Sequence, residues 1–482
     1  MKQESIVAKI VAEGELVLDA PLLIGSGGGT EGEDDKDIHV LRNKEGIPYI
    51  PGTSLAGVLR AFIEADNPKA GALIFGTPQD SHSKAALELQ SAISIYDVKL
   101  SNAKIIVRDG VSIDGATGVA VEHHKFDYEA IDSGAHGILQ IEITLRGIHA
   151  DEQEHLTAVL ERLRDRLLGG FYLGAHTTKG FGKAHMNSLT VDLYDFQQPK
   201  DVLAWLYPER KEASCHEQYE GNTEQRVYTT KDFAVDADFA LAHSLIIRDY
   251  DKATRDAQSS GDTTISAVMK MDSKGRYIIP GTSLKGVLRH RSAYILQQLG
   301  KAILPDEAWS FGKEEPLVEY TMGPSPETMK LHPNEAKRRS RFLVDEAVIT
   351  QGVIAKEQSR NRIDRFTGGT IDTALFTTKP IWQKKHEEPV VHLHFGVKGA
   401  KDWEAGLALL LLKDLWLGRT AVGGEKSIGR GTLKGVRATI SYQGKKWEIS
   451  NGKSMDAANA EALQALVTAL AKKVKNAEEA AE

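Results

Sequence analysis

The stretch "PGTSLAGVLR" at residues 51–60 returns as "PGTSLKGVLR" at 280–289, 229 positions later, with one change from Ala56 to Lys285. A chain that carries the same decapeptide twice has to build the same local structure twice. Pro-Gly turns a chain, and the oxygens of Thr-Ser can cap a helix by accepting from its first N–H groups. Leu55, Val58, Leu59 and Phe62 then share one helical face, as do Leu284, Val287, Leu288 and Tyr294, so each copy predicts a tight turn into an amphipathic helix.

Other landmarks recur in the same order, as a duplicated domain requires. "IFG" at 74–76 is followed by "SFG" at 310–312, and "IDGATG" at 113–118 by "IDRFTG" at 363–368. "LGAHTTKGFGK" at 173–183 finds "VGGEKSIGRGT" at 422–432, which pairs Gly174 with Gly423, Gly180 with Gly429 and Gly182 with Gly431. Each copy opens with a strand pattern, 15–25 and 238–247, and continues through the Pro-Gly helix into short strand patterns. A second amphipathic helix follows, at 154–167 and 404–415, and then the glycine-rich segment and a last strand. Strand, helix, strands, helix, strand is the α+β order of a ferredoxin-like or RNA-recognition-type sheet with both helices on one face.

The expected organisation is a first domain over 1–195, a polar linker or small helical insertion over 196–225, a second domain over 226–452 and a helical tail over 453–482. In the tail Leu463, Leu466, Val467, Leu470 and Val474 fall at helical spacing, which suits a helix folded back on the second copy or one that docks a partner. No N-terminal apolar run with a cleavage site and no stretch of 18 apolar residues is present, so the expectation is a soluble, cytosolic protein without a membrane role. One cysteine, Cys215, excludes an internal disulfide and a cysteine zinc cluster. The net charge of -7 argues against indiscriminate coating of nucleic acid but leaves room for a basic groove, with "KRRSR" at 337–341 and "KEQSRNRIDR" at 356–365 as local basic stretches.

The late glycines are not a nucleotide fingerprint, because a helix precedes them and a strand follows, the reverse of a phosphate-binding strand-to-helix loop. They mark a loop that another backbone can approach closely, flanked by Lys179, Lys183, Lys426 and Arg430, with chain packing and RNA phosphates as the two occupants. His123, His124 and His176 show no paired metal-ligand spacing and read as surface or RNA-facing residues.

Together, the Pro-Gly-Thr-Ser-Leu-x-Gly-x-x-Arg helix, the Ile-Asp-x-x-Thr-Gly segment and the late Gly-x-Gly resemble the RAMP superfamily over about 10–190 and 230–440. More narrowly they are similar to the backbone subunits of type III CRISPR effector complexes, here two fused in one chain as in type III-D systems. The resemblance implies a palm that binds guide (CRISPR) RNA, with Ser54 and Arg60 in the first copy and Ser283, Lys285 and Arg289 in the second on its phosphates. It implies a thumb hairpin that wedges between nucleotides, with Ile113, Phe126, Ile363 and Phe366 as wedges. The implied partners are the guide, a complementary target RNA and other CRISPR effector subunits in antiviral defence.

Backbone subunits of this family cut target RNA with an acidic residue in the loop before the Pro-Gly turn. Asp37 occupies that place in the first copy, beside Glu33, Asp34 and Asp35, and Asp262 is the nearest match in the second, ahead of Asp249, Asp251 and Asp256. Such a carboxylate, Asp37 first, can hold Mg2+ or another divalent metal, or take the proton of a ribose 2'-OH. The alternatives are a non-catalytic RNA-binding scaffold of the same fold, an endoribonuclease that matures the guide, and a small-molecule α+β enzyme.

Overall fold

A computed structural model describes residues 5–26, 38–77, 90–114, 120–150, 153–207, 215–221, 231–260, 265–300, 317–331, 338–372, 374–385 and 388–479. The chain divides into two compact units, one built from Met1–Ser112, Ala120–Thr177 and Phe181–Val227, the other from Ile113–Val119, Thr178–Gly180 and Tyr228–Glu482.

In the first unit an antiparallel sheet runs Cys215–Glu220, Ser188–Asp195, Ile6–Leu18, His136–Arg146, Ile93–Ile95. Taking the four inner strands in chain order, this is 4-1-3-2, with helix Gly52–Glu64 before the second strand and helix Gln153–Gly169 before the fourth. That is the split βαβ arrangement of a ferredoxin-like domain. Alternation places Leu139, Ile141 and Ile143 on one face, where they meet Leu55, Leu59 and Ile63 of one helix and Leu156, Val159, Leu163 and Leu167 of the other. Truncating Leu55 or Leu59, both fully buried, to alanine should cost about 2–5 kcal/mol.

The second unit repeats the plan: Phe342–Val344, Val391–Val397, Phe233–Leu241, Leu433–Tyr442, Lys445–Ser450, with helices Gly281–Leu299 and Asp402–Trp416. Its strand order is the same, and a fifth strand again pairs outside the fourth. In helix Gly281–Leu299 the core positions are Leu284, Leu288, Ile295 and Leu296. Tyr294, expected on that face, instead turns outward under the Arg291 guanidinium, 4.4 Å from its ring centre. Helix Ala457–Glu479 folds back onto Asp402–Trp416, burying Leu466, Leu470 and Val474 where Gly406 lets the Leu466 backbone come close.

Two local expectations change. Both Pro-Gly helices begin at the glycine, with Pro51 and Pro280 as N-caps and no side-chain cap, so Thr-Ser lies inside the first turn. In the first unit the Gly52 N–H is satisfied from elsewhere, by Asp97 Oδ1 at 2.8 Å. A Cβ at Gly52 would stand 2.0 Å from the Ile95 carbonyl oxygen, so close packing is what this glycine supplies. The stretch 196–225 holds a helix, Pro199–Leu206, and the edge strand Cys215–Glu220, which places the exposed Cys215 on a sheet edge. "CHEQYE" has no apolar alternation to announce a strand; pairing with Ser188–Asp195 makes it one.

Candidate nucleic-acid interface

The late glycines take the same geometry in both units. Gly182 and Gly431 have φ of 73° and 76°, and a Cβ at either would fall 1.9 Å from Leu173 O or 1.8 Å from Val422 O. The backbone that approaches these glycines is therefore their own unit's. Between the glycines one non-glycine residue is left-handed in each copy, His176 and Glu425, both at φ 57°.

What fills these loops differs. His176, half-buried, packs edge-on against Tyr128 and Phe181, with centroids 5.2 and 5.8 Å apart. In the second unit the counterpart of Phe181 is Arg430, which is 2% exposed and aligned 249 residues later. Its Nε lies 3.2 Å from Glu425 Oε2, and it donates to Gln358 and to Thr378. Glu425 also pairs with Arg248, at 3.2 Å, and with Arg360. Burial pulls the Glu425 carboxyl upward, but the Arg360 hydrogen bond and the charges of Arg430 and Arg248 outweigh it and hold it below the usual carboxylate range. Arg430 is thus a buried member of this network, held by Glu425, Gln358 and Thr378.

The conserved arginine of the decapeptide is occupied as well. Arg60 donates to Glu64 Oε1 at 2.7 Å and to Gly76 O at 3.1 Å, the carbonyl that ends helix Pro68–Phe75. Arg289 donates to Gly323 O at 2.8 Å, just past helix Leu317–Met322, and lies 3.7 Å from Glu319. In both units this side chain satisfies a carbonyl at the end of a later helix. Lys285 is 6% exposed, with Nζ 2.7–2.9 Å from Thr178 Oγ1, Ser340 Oγ and Phe342 O. Burial, with the charges of Lys179, Arg289 and Arg339, brings its pKa down to about 6. Arg60, Arg289 and Lys285 therefore serve as internal donors in place of the expected outward contacts.

Ser54 and Ser283 lie half-buried in the first turns of their helices, Lys183 at the start of strand Lys183–Met186, and Lys426 is exposed in the short helical turn Lys426–Ile428. Lys179 is half-buried, and burial followed by the Arg289 charge lowers its pKa.

The wedge candidates sit on hairpin-like projections. Strands Ile105–Ile113 and Ala120–Ile131 form a two-stranded ribbon, with Ile113 44% exposed at its described end. Phe126 is partly covered: its ring fills the space over Gly110 and stacks with Tyr128 at 5.8 Å. In the second unit Ile363 bridges Thr370, and Phe366 at the intervening turn is 99% exposed. The Asp364 carboxylate accepts from the Phe366 and Thr367 N–H groups and the Thr367 hydroxyl, and these bonds hold it below its usual pKa.

Asp37 and Asp262 lie outside the described residues, and so do Glu33, Asp34 and Asp35. The segment that follows Asp37 is anchored: Ile38 bridges Tyr128 in parallel, Val40 N–H and Arg42 both donate to the buried Glu129, and His39 lies 3.6 Å from the same carboxylate. Neither Glu129 nor His39 was singled out from sequence. The second unit has a parallel pairing of Ile265–Met269 with Phe376–Lys379. The bridges Arg42–Pro48 and Met271–Tyr277 stand 229 residues apart, the same offset as the decapeptides. At that offset Asp37 corresponds to Ser266, whose hydroxyl donates to Thr377 O at 3.0 Å, and Asp262 falls four positions upstream. Among the described residues no three His, Cys, Asp or Glu side chains gather as a metal site. No helix among them is long and apolar enough to cross a membrane.

A family model described as the RAMP superfamily matches residues 15–185 and 269–434, one segment in each copy. No curated protein matches the chain. Each matched segment overlaps one of the two ferredoxin-like sheets, and the chain belongs to the RAMP superfamily as a CRISPR-associated RNA-binding subunit that carries two such domains.

Proposed function

We propose that this chain is a double backbone subunit of a type III CRISPR ribonucleoprotein, which holds guide RNA and cuts the paired target RNA beside its first domain. The observation that carries this reading is a fully exposed phenylalanine, Phe366, on a turn held by the Asp364 carboxylate. An aromatic ring left wholly in water by a folded chain is suited to stacking between bases, worth about 1–3 kcal/mol per base.

The cut is assigned to Asp37. Its carboxylate takes the proton of the target ribose 2'-OH, the oxygen attacks the adjacent phosphorus, and the 5'-oxygen of the next nucleotide leaves. The products are a 2',3'-cyclic phosphate and a 5'-hydroxyl. Glu129 and Arg42 support the position by fixing the chain immediately after Asp37. A divalent ion would rest on Asp37 and its acidic neighbours, where it would polarise the phosphate; the described residues provide no such ligand set. The second domain is assigned a binding role; the offset of the two bridges, which sets Ser266 opposite Asp37 in the sequence, supports this reading.

The deciding experiment incubates the purified ribonucleoprotein with labelled, guide-complementary RNA and Mg2+, comparing wild type with Asp37→Asn and Asp262→Asn and mapping product ends. Loss of a specific cut in Asp37→Asn, with intact RNA binding, supports the assignment. Unchanged cutting in both variants leaves the chain as the scaffold, the second reading.

A further inference from the structure

The three guanidiniums around Glu425 outnumber their carboxylate. Arg248, Arg360 and Arg430 converge on one acidic side chain from a short strand, a second strand and the glycine loop, leaving a local excess of two positive charges. None of the three makes an ion pair with another carboxylate among the described residues. Glu425 itself is held in the left-handed region, a conformation unfavourable for a non-glycine residue. Its counterpart His176 has the same backbone and packs against the Tyr128 and Phe181 rings.

The outer side of the cluster has the chemistry of single-stranded nucleic acid. Arg360 lies over the half-exposed Phe376 ring at 5.8 Å, and Arg248 donates to the hydroxyl of the exposed Tyr250 at 3.0 Å. Two arginines with flanking aromatic faces offer both phosphate forks and base platforms. A carboxylate presents two oxygens to three guanidiniums, whereas a phosphodiester presents two charged oxygens and two bridging ones on a tetrahedral centre.

We propose that Arg248, Arg360 and Arg430 form a phosphate site of the second domain, in which Glu425 stands in for an RNA phosphodiester and yields Arg248 and Arg360 to it when RNA binds. This rests on the RNA-binding reading above, and it adds a residue that opposes binding and an exchange that sets the domain's RNA affinity.

The test uses the full chain, with Glu425→Gln and Arg248→Gln as variants. Binding of a single-stranded RNA is measured across salt, and the thermal midpoint is followed with and without inorganic phosphate. Glu425→Gln should bind RNA about fivefold or more tightly at fixed salt, since one competing charged hydrogen bond is removed. Its midpoint should fall without phosphate and recover with it more than the wild type's does. Arg248→Gln should lower the salt slope by about 0.7, one single-strand phosphate contact. A folded Glu425→Gln with unchanged or weaker RNA binding overturns the exchange. If that variant does not fold, an unchanged salt slope in Arg248→Gln overturns it. A chain that binds no RNA in any form fails the functional reading first. In that case phosphate rescue of Glu425→Gln identifies an ion site and overturns the RNA assignment.

Discussion

The Asp364 carboxylate accepts the backbone N–H of Phe366 at 2.9 Å and thereby fixes the turn that holds the phenyl ring fully in solvent. A ring with no protein contacts has little folding role to lose. Phe366→Ala is expected to leave unfolding free energy within about 0.5 kcal/mol of wild type while weakening RNA binding by about 1–3 kcal/mol. Denaturant unfolding and RNA titration on the same preparations check both halves.

Lys285 should matter to folding and not to RNA. The unfolded state keeps the lysine proton up to about pH 10.4, whereas the folded state releases it near 6. Between those values the unfolded state binds more protons, so this group makes stability rise with pH. Lys285→Met should flatten that rise between pH 7 and 10 and leave the salt slope of RNA binding unchanged. A decrease of the slope by about 0.7 would instead place the ammonium on a phosphate.

His392 works in the opposite sense. The Asp236 carboxylate 3.6 Å away, against the cost of burial and with help from the hydrogen bond to Asp238 at 2.8 Å, raises the His392 pKa above the ordinary 6.5. The stability it contributes is fully present below the unfolded value, about pH 6.5, and is lost as pH rises through the higher folded value. His392→Gln should remove that loss, seen as a smaller fall in thermal midpoint from pH 6 to 8. Because the ring is half exposed, the effect is expected to be small.

Gly182 and Gly431 should be equally intolerant. Alanine at either meets both a left-handed φ and a carbonyl carbon–oxygen group inside 3.0 Å. Each substitution is expected to destabilise its own unit by about 2–4 kcal/mol, read as a shift of one unfolding transition.

Much of the fold was legible because it is carried by local patterns. The repeated decapeptide placed both helix starts, and alternation in "ILQIEITLRGI" and "VVHLHFGV" placed strands His136–Arg146 and Val391–Val397. The family itself was legible in the same motifs. The roles of charged side chains were not, because each depends on a group distant in sequence. Arg60 and Arg289 look like outward cations until the carbonyls of Gly76 and Gly323 are in place. Arg430 lies next to the glycine loop in sequence, yet its partners Gln358 and Thr378 come from elsewhere in the chain. In the second loop two ways of counting part: the aspartate pattern reaches Asp262, outside the described residues, whereas the offset of the bridges reaches Ser266.

The two loops have kept one backbone and exchanged its contents, aromatic around His176 and ionic around Glu425. Separate polypeptides that diverged in this way would be synthesised in unequal amounts and could be drawn into an assembly in any sequence. Joined in one chain, the unlike units are translated in strict one-to-one ratio and in a single polarity. Covalent linkage thus makes a division of labour between near-identical modules heritable, and it lets either loop accumulate changes that a freely exchanging subunit would have to tolerate at every place it occupied.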